Sequence, residues 1–202
     1  MSDLTGEAEE SRSAKIALRN RLLTSRRSLS SNELAAAAAQ IQGQTLSLVR
    51  REGAAVVASY VPIGSEPGGS SLLAALAAQA RVLLPVLLPD GDLEWADYSS
   101  ELAAGPRGLL EPAGPRLGVS AVATADVVLV PALAVDRRGL RLGRGGGSYD
   151  RALARLPESG GPLVVALLHD GELVDAVPAE PHDRPVHAVI TPGGGLTVFA
   201  AR

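Results

Sequence analysis

Four short apolar runs, spread along the chain, set what it can fold into. Residues 54–60 (AAVVASY), 81–88, 126–131 (DVVLVP) and 163–168 are each best read as a buried strand of a parallel sheet. Helical stretches stand between them. Ser30 and Glu33 have the spacing of a capping box that opens a helix running to about Arg50. Ser70 is placed to cap a second helix through about Ala80, and the ALARL after Arg151 reads as a third. Residues 93–98 return as a strand after the turn at 89–92, and 187–191 and 196–199 close the chain as short strands around three glycines. Residues 99–120, rich in Gly and Pro, read as an irregular surface connection. Strands separated by helices predict a three-layer α/β fold, a mostly parallel sheet flanked by helices, in a single domain.

The chain's 202 residues suffice for one sizeable core. Because only 2% of residues are aromatic against 46% hydrophobic, that core must be built from Ala, Val and Leu. A net charge of −3 argues against nucleic-acid binding through a basic surface. The lack of cysteine excludes a disulfide framework and a thiolate metal site. Residues 1–12 are acidic and polar, unlike a secretory signal, and are expected to be disordered, with the folded domain spanning 13–202. No run is long and apolar enough to cross a membrane. The expectation is a cytoplasmic monomer without nucleic-acid or membrane partners.

Residues 138–151 (RGLRLGRGGGSYDR) concentrate the chemistry. Gly139, Gly143, Gly145, Gly146 and Gly147 are interleaved with Arg138, Arg141 and Arg144. The strand at 126–131 leads in and a helix follows, so the stretch belongs to a βα unit. Glycines let a ligand approach the main chain closely, and backbone N–H groups converging at a helix start favour phosphate. The arginines add bidentate charge, and Asp150 stands where a carboxylate could hold a divalent cation beside phosphates. The plainer alternative is a flexible surface loop capped by Ser148. The stretch has no Lys for a phosphate-binding Gly-Lys-Ser/Thr loop, and Ser148 stands where a dinucleotide fingerprint needs its third glycine.

Other residues stand out singly. Lys15 is the only lysine in a chain that otherwise uses arginine, which suggests a need for a compact ammonium. Its spacing from Arg19 puts both cations on one helix face, and Ile16, Leu22 and Leu23 fall near one face as well. Glu66 lies in the loop at the carboxyl end of the first strand, where ligands of open α/β sheets bind. Trp95, the sole tryptophan, is a core residue by default. The pairs His169–Asp170 and His182–Asp183, with His187 apart, make a sparse set for a hydrolytic metal site. Asp136 reads first as a turn-former and only in reserve as a metal ligand.

The stretch 130–153, VPALAVDRRGLRLGRGGGSYDRAL, resembles the signature of the 5-formyltetrahydrofolate cyclo-ligases (5,10-methenyltetrahydrofolate synthetases). That family carries a Pro, an Asp-x-x-Gly turn, Arg-Leu-Gly, a glycine-rich loop and Tyr-Asp-Arg in this order. Three more segments match in order: Lys15 to Arg19 as Lys-x-x-Leu-Arg, the loop with Glu66, and 175–183 as Leu-Pro-x-Glu-x-His-Asp. The resemblance implies an enzyme that uses ATP to cyclise 5-formyltetrahydrofolate to 5,10-methenyltetrahydrofolate, with ADP and phosphate released and no protein nucleophile. It implies ATP contacts from Lys15 and Arg19 and from Arg141, Gly143, Arg144, Gly145, Gly146, Gly147, Ser148, Tyr149 and Asp150. It further implies a folate pocket lined by Glu66, Trp95 and Tyr149, and Mg²⁺ held by Asp150 and Asp183.

This chain departs from the family pattern in three places. Val135 replaces a common Phe before Asp136, and Arg144 and Ser148 stand where aromatic residues are frequent. Arg144 would strengthen phosphate binding, and Ser148 removes a possible wall of the folate pocket. Two other function classes remain open on the sequence: a non-catalytic folate- or nucleotide-binding relative, and a kinase or ligase with another acceptor.

Overall fold

The computed structural model describes residues 3–157, 159–180 and 183–199. Helix α1 (Asp3–Ser28) and helix α2 (Ser31–Glu52) come first. The Ser30 hydroxyl accepts the Glu33 N–H and the Glu33 carboxylate accepts the Ser30 N–H, the reciprocal capping box expected there. Strand β1 (Val56–Ala58), helix α3 (Leu72–Ala77), and strands β2 (Arg81–Leu87) and β3 (Leu93–Asp97) follow. Strands β4 (Leu102–Ala104) and β5 (Leu110–Pro112) form a small antiparallel hairpin. Then come β6 (Val127–Pro131), β7 (Ala134–Asp136), β8 (Arg141–Leu142), helix α4 (Ser148–Leu153), β9 (Leu163–Leu167), β10 (Leu173–Val174), β11 (Ala188–Thr191) and β12 (Gly195–Val198).

The main sheet has seven strands in the order β12-β11-β9-β6-β1-β2-β3. The inner strands run parallel, with β3 and β12 antiparallel at the edges. Alternate residues of β6 serve opposite faces. Val127 and Leu129 join Ile41, Leu48, Leu72 and Leu76 beneath α2 and α3, while Val128 and Val130 join Val122, Ala152 and Leu153 on the side of α4. Burial on both faces explains why these strands read as apolar runs rather than alternating ones. The three-layer α/β expectation holds. A second sheet, β10-β7-β8, receives α1: Leu22 packs with Leu133, Ala134, Leu142 and Val177. Among the described residues no helix is long and apolar enough to cross a membrane.

Several local expectations are corrected. Helix α1 begins at Asp3, within the polar stretch expected to be a disordered tail. A helix once nucleated propagates into adjoining polar residues, and the Ser11 hydroxyl donates to the Ala179 carbonyl. Ile16 is 50% exposed, and the inward positions of α1 are Lys15, Leu22 and Arg26. Helix α3 opens at Ser71 rather than Ser70, without a side-chain cap, and ends at Ala77, with Leu72, Leu73 and Leu76 buried over the sheet. The connection at 99–120 contains the β4–β5 hairpin and short 3₁₀ turns.

Candidate active site

The chain order places β2 on one side of β1 and β6 on the other. The carboxyl ends of β1 and β6 therefore diverge, which is where open α/β sheets bind ligands. A cleft of about 730 Å³ opens there, within the roughly 300–1,000 Å³ of small-molecule sites. Its walls come from the loop after β1, the segment after β6, the glycine loop between β8 and α4, one face of α1, and Glu180 and Asp183.

One half of the cleft is ionic. Arg19 donates from Nε to the Gly143 carbonyl at 2.9 Å, so α1 holds the start of the glycine loop. Gly145 adopts φ +98° and packs against the Arg19 guanidinium; a side chain there would be strained by that backbone conformation. The backbone N–H groups of residues 144–147 donate to no protein group among the described residues. Gly147, not Ser148, occupies the N-cap position of α4, and Ser148 makes no capping bond. Arg151 donates to the carbonyls of Gly146 and Gly91, fastening the loop to the β2–β3 turn.

Each predicted cation meets a carboxylate or a carbonyl. Lys15 is buried, with Nζ 2.8 Å from Asp183 Oδ2 and 3.4 Å from Glu180 Oε2. Asp183 also accepts the Glu180 N–H at 2.7 Å. Arg141 donates to Asp150 Oδ1 at 2.8 Å and lies 5.8 Å from the Tyr149 ring centroid. Arg144 donates to Glu66 Oε1 at 3.0 Å. Burial chiefly, with a smaller push from the Glu66 charge against a pull from Arg141, raises the Tyr149 phenol well above its ordinary pKa. Tyr149 is thus a neutral wall and hydrogen-bonding group at physiological pH, not a base.

Asp136 is a turn-former, as its first reading had it. Its oxygens accept from the backbone N–H groups of Arg138, Leu140 and Val177 and from the Arg138 guanidinium. The turn it shapes has a further use. Gly139 has φ +82°, and a Cβ there would lie 2.4 Å from the Val186 carbonyl oxygen. The Val186 N–H in turn donates to the Gly139 carbonyl. The β7–β8 turn thereby clasps the segment that carries Asp183.

The other half of the cleft is apolar, lined by Pro85, Leu87, Leu93, Leu109 and Leu110, with Arg107 and Glu111 at the hairpin. Trp95 is not there. Its side chain is fully buried, a member of the core cluster on the α4 side of the sheet that also holds Leu83, Leu93 and Val128, so the placement of Trp95 on the folate wall is corrected. Its neighbour on the same face of β3, Leu93, reaches the cleft instead. The histidines do not gather. His169 contacts the Ser65 carbonyl through Nε2, His187 accepts the Val164 N–H through Nδ1, and His182 lies outside the described residues. No group of three or more His, Cys, Asp or Glu side chains suited to a metal occurs among the described residues.

Arg12, the place of Glu180 beside Lys15 and the leucine-bearing hairpin were not read from sequence. Arg12 stands three positions before Lys15 and Glu180 three before Asp183; these spacings were the available signals. The hairpin residues had none, because only the tertiary fold brings 107–111 over the cleft.

Comparison with known proteins agrees with this architecture. The chain is 44% identical to the 5-formyltetrahydrofolate cyclo-ligase of Mycolicibacterium smegmatis over 193 residues, covering 92% of this chain and 97% of that protein. The NMR structure of Aquifex aeolicus 5,10-methenyltetrahydrofolate synthetase superposes with a TM-score of 0.79 at 26% identity, over 93% of this chain and 94% of that one. A 5,10-methenyltetrahydrofolate synthetase from Mycoplasma pneumoniae shares the fold with a TM-score of 0.69 at 21% identity, over 87% of this chain and 96% of that one. The family model of the cyclo-ligases matches residues 11–192, which includes every wall of the cleft, and this chain belongs to the 5-formyltetrahydrofolate cyclo-ligase family.

Proposed function

We propose that this protein uses ATP to cyclise 5-formyltetrahydrofolate to 5,10-methenyltetrahydrofolate. The observation that carries the reading is a single cleft with a cationic glycine loop on one side and an aliphatic wall on the other. Such a cleft suits a nucleotide triphosphate meeting a flat heteroaromatic ring. Family membership supports the same chemistry.

An amide oxygen is a poor leaving group, so the formyl oxygen must first be activated. It attacks the γ-phosphorus and ADP departs, leaving an imidoyl-phosphate-like intermediate. N10 then attacks the activated carbon, the C–O bond breaks as phosphate leaves, and the N10 proton departs with the phosphate or to water. The protein's part is alignment and charge neutralisation. In this reading Lys15, Arg19, Arg141 and Arg144 face the phosphates, with the N–H groups of residues 144–147 as a cradle. Glu66 accepts from pteridine N–H groups, and Tyr149 closes the pocket between the two halves.

The acidic residues fit Mg²⁺ carried in by the nucleotide rather than a protein cage. Mg²⁺ takes one or two carboxylates and keeps waters and phosphate oxygens, and Asp150 and Asp183 are carboxylates on the cleft wall. The ion would neutralise charge developing on the phosphates. The working assignment is a cytoplasmic monomer that takes 5-formyltetrahydrofolate and ATP.

The methenyl product has an extended conjugated system that the substrate lacks, so near-ultraviolet absorbance should rise. The rise should require both ATP and Mg²⁺, and ADP should appear one for one. Folate binding without an absorbance change would instead mark a non-catalytic relative. ADP formed only with another acceptor would mark a different kinase or ligase. Folded protein giving neither product nor ADP with 5-formyltetrahydrofolate sinks the proposal.

A further inference from the structure

Glu66 and Arg144 face each other across the cleft from different walls. Glu66 stands midway along the loop between β1 and α3, and Arg144 stands in the glycine loop. Arg144 Nε donates to Glu66 Oε1 at 3.0 Å, and the other oxygen, Oε2, accepts the Ile63 N–H at 2.9 Å. Both carboxylate oxygens are engaged, and the Glu66 side chain is only 10% exposed, whereas that of Arg144 is 59% exposed. The Arg144 Nη groups make no hydrogen bond to the protein among the described residues. A guanidinium offers donors along two edges of one rigid plane. With Nε on Glu66, the Nη groups remain available to an anion, beside the uncommitted N–H groups of residues 144–147.

We infer that Arg144 is a bridge between the two substrate subsites, holding Glu66 through Nε and a nucleotide phosphate through its Nη groups, so that nucleotide and folate bind with positive cooperativity. The inference rests on the function proposed above. A phosphate that fixes the guanidinium also fixes the Glu66 carboxylate and the loop at 61–66, ready for the pteridine. A pteridine that fixes Glu66 holds Arg144 in place for phosphate. Whichever substrate binds second meets a group already ordered, and linkage requires the effect to be equal in both directions. Lysine cannot replace arginine here, because a single ammonium on a flexible stem does not hold two partners in one plane.

The test is calorimetric titration with a non-hydrolysable Mg·ATP analogue, with and without saturating 5-formyltetrahydrofolate, and the reverse titration. The wild-type protein should bind each ligand about fivefold or more tightly in the presence of the other, by the same factor both ways. In R144A and in E66Q that factor should fall to about one, and the double variant should lose no further cooperativity. R144K should keep part of the nucleotide affinity and lose the cooperativity, which a merely structural role for this exposed side chain would not produce. Wild-type protein that binds both ligands independently, or cooperativity retained in R144A or R144K, overturns the inference and leaves the proposed function standing. Wild-type protein that binds no 5-formyltetrahydrofolate overturns the proposed function and the inference together.

Discussion

A lysine that is 6% exposed on a largely polar helix needs a reason to be there. Lys15 has two carboxylates at hand, Asp183 and Glu180, and a cleft in front of it. A charge-assisted contact is worth about 1.5–3 kcal/mol, so Lys15→Ala should raise the apparent KM for ATP about ten- to a hundredfold. An unchanged ATP dependence in folded Lys15→Ala would remove it from the site. The residue was legible because it is the chain's one lysine. Trp95 shows the opposite case: a unique residue whose type says core as readily as ligand wall, and which the fold assigns to the core. At Asp136, burial alone would raise the carboxyl, but hydrogen bonds from the Arg138 side chain and from the Val177, Leu140 and Arg138 N–H groups outweigh it and hold the pKa below the ordinary value. The stabilisation is therefore full above the unfolded-state pKa and is lost as pH falls through the folded one. Asp136→Asn should flatten the acid limb of the stability profile, below the ordinary carboxylate range, in urea titrations; an unaltered acid limb would contradict this.

At the scale of elements, α1 carries an inward stripe that is half polar, and this limited what its sequence could show. Hydrophobic periodicity placed Ile16 inward, yet Lys15, Leu22 and Arg26 are the buried positions. The helix covers a ligand cleft and a polar junction, not only a core, so apolar periodicity is the wrong guide to its facing. Arg26 anchors it. The guanidinium donates to both Glu172 oxygens at 2.7 Å and to the Ala132 carbonyl at 2.6 Å, and Glu172 also accepts the His169 N–H. Removing one member of such a buried pair costs about 3–5 kcal/mol. Arg26→Met should lose that much stability by urea denaturation, and adding Glu172→Leu should restore part of it, because the stranded carboxylate is gone. A loss under 1 kcal/mol, judged against the usual range of about 0.5–3 kcal/mol for point mutants, would mean the pair does not anchor α1. The β strands were more legible than α1, since burial on both faces leaves an apolar run that no other element shares. The β4–β5 hairpin was not, because Gly and Pro mask a two-strand element that buries little.

At the scale of the whole molecule, the cleft is where parts distant in sequence converge. The main sheet supplies the carboxyl ends of β1 and β6, the small sheet supplies the glycine loop after β8, and α1 closes the side through Arg19 on Gly143 and Lys15 on Asp183. The ionic half was visible in sequence because its residues cluster in one stretch, and the aliphatic half was hidden because β2, β3 and the β5 hairpin meet only in three dimensions. A ligand that fills this space binds the folded chain and not the unfolded one. At a hundred times its Kd it should add about 2.7 kcal/mol of stability. For a chain of this size each kcal/mol moves the melting midpoint by about 2–4 °C, so saturating nucleotide alone should raise it by roughly 5–11 °C. Because the loop and α1 share the Arg19–Gly143 contact, protection from hydrogen exchange should rise together at residues 15–19 and in 143–150. The apolar wall at 107–111 should respond mainly to folate. Nucleotide that shifts the midpoint but protects the loop while leaving α1 unchanged would show that α1 is packed beside the site without being part of it.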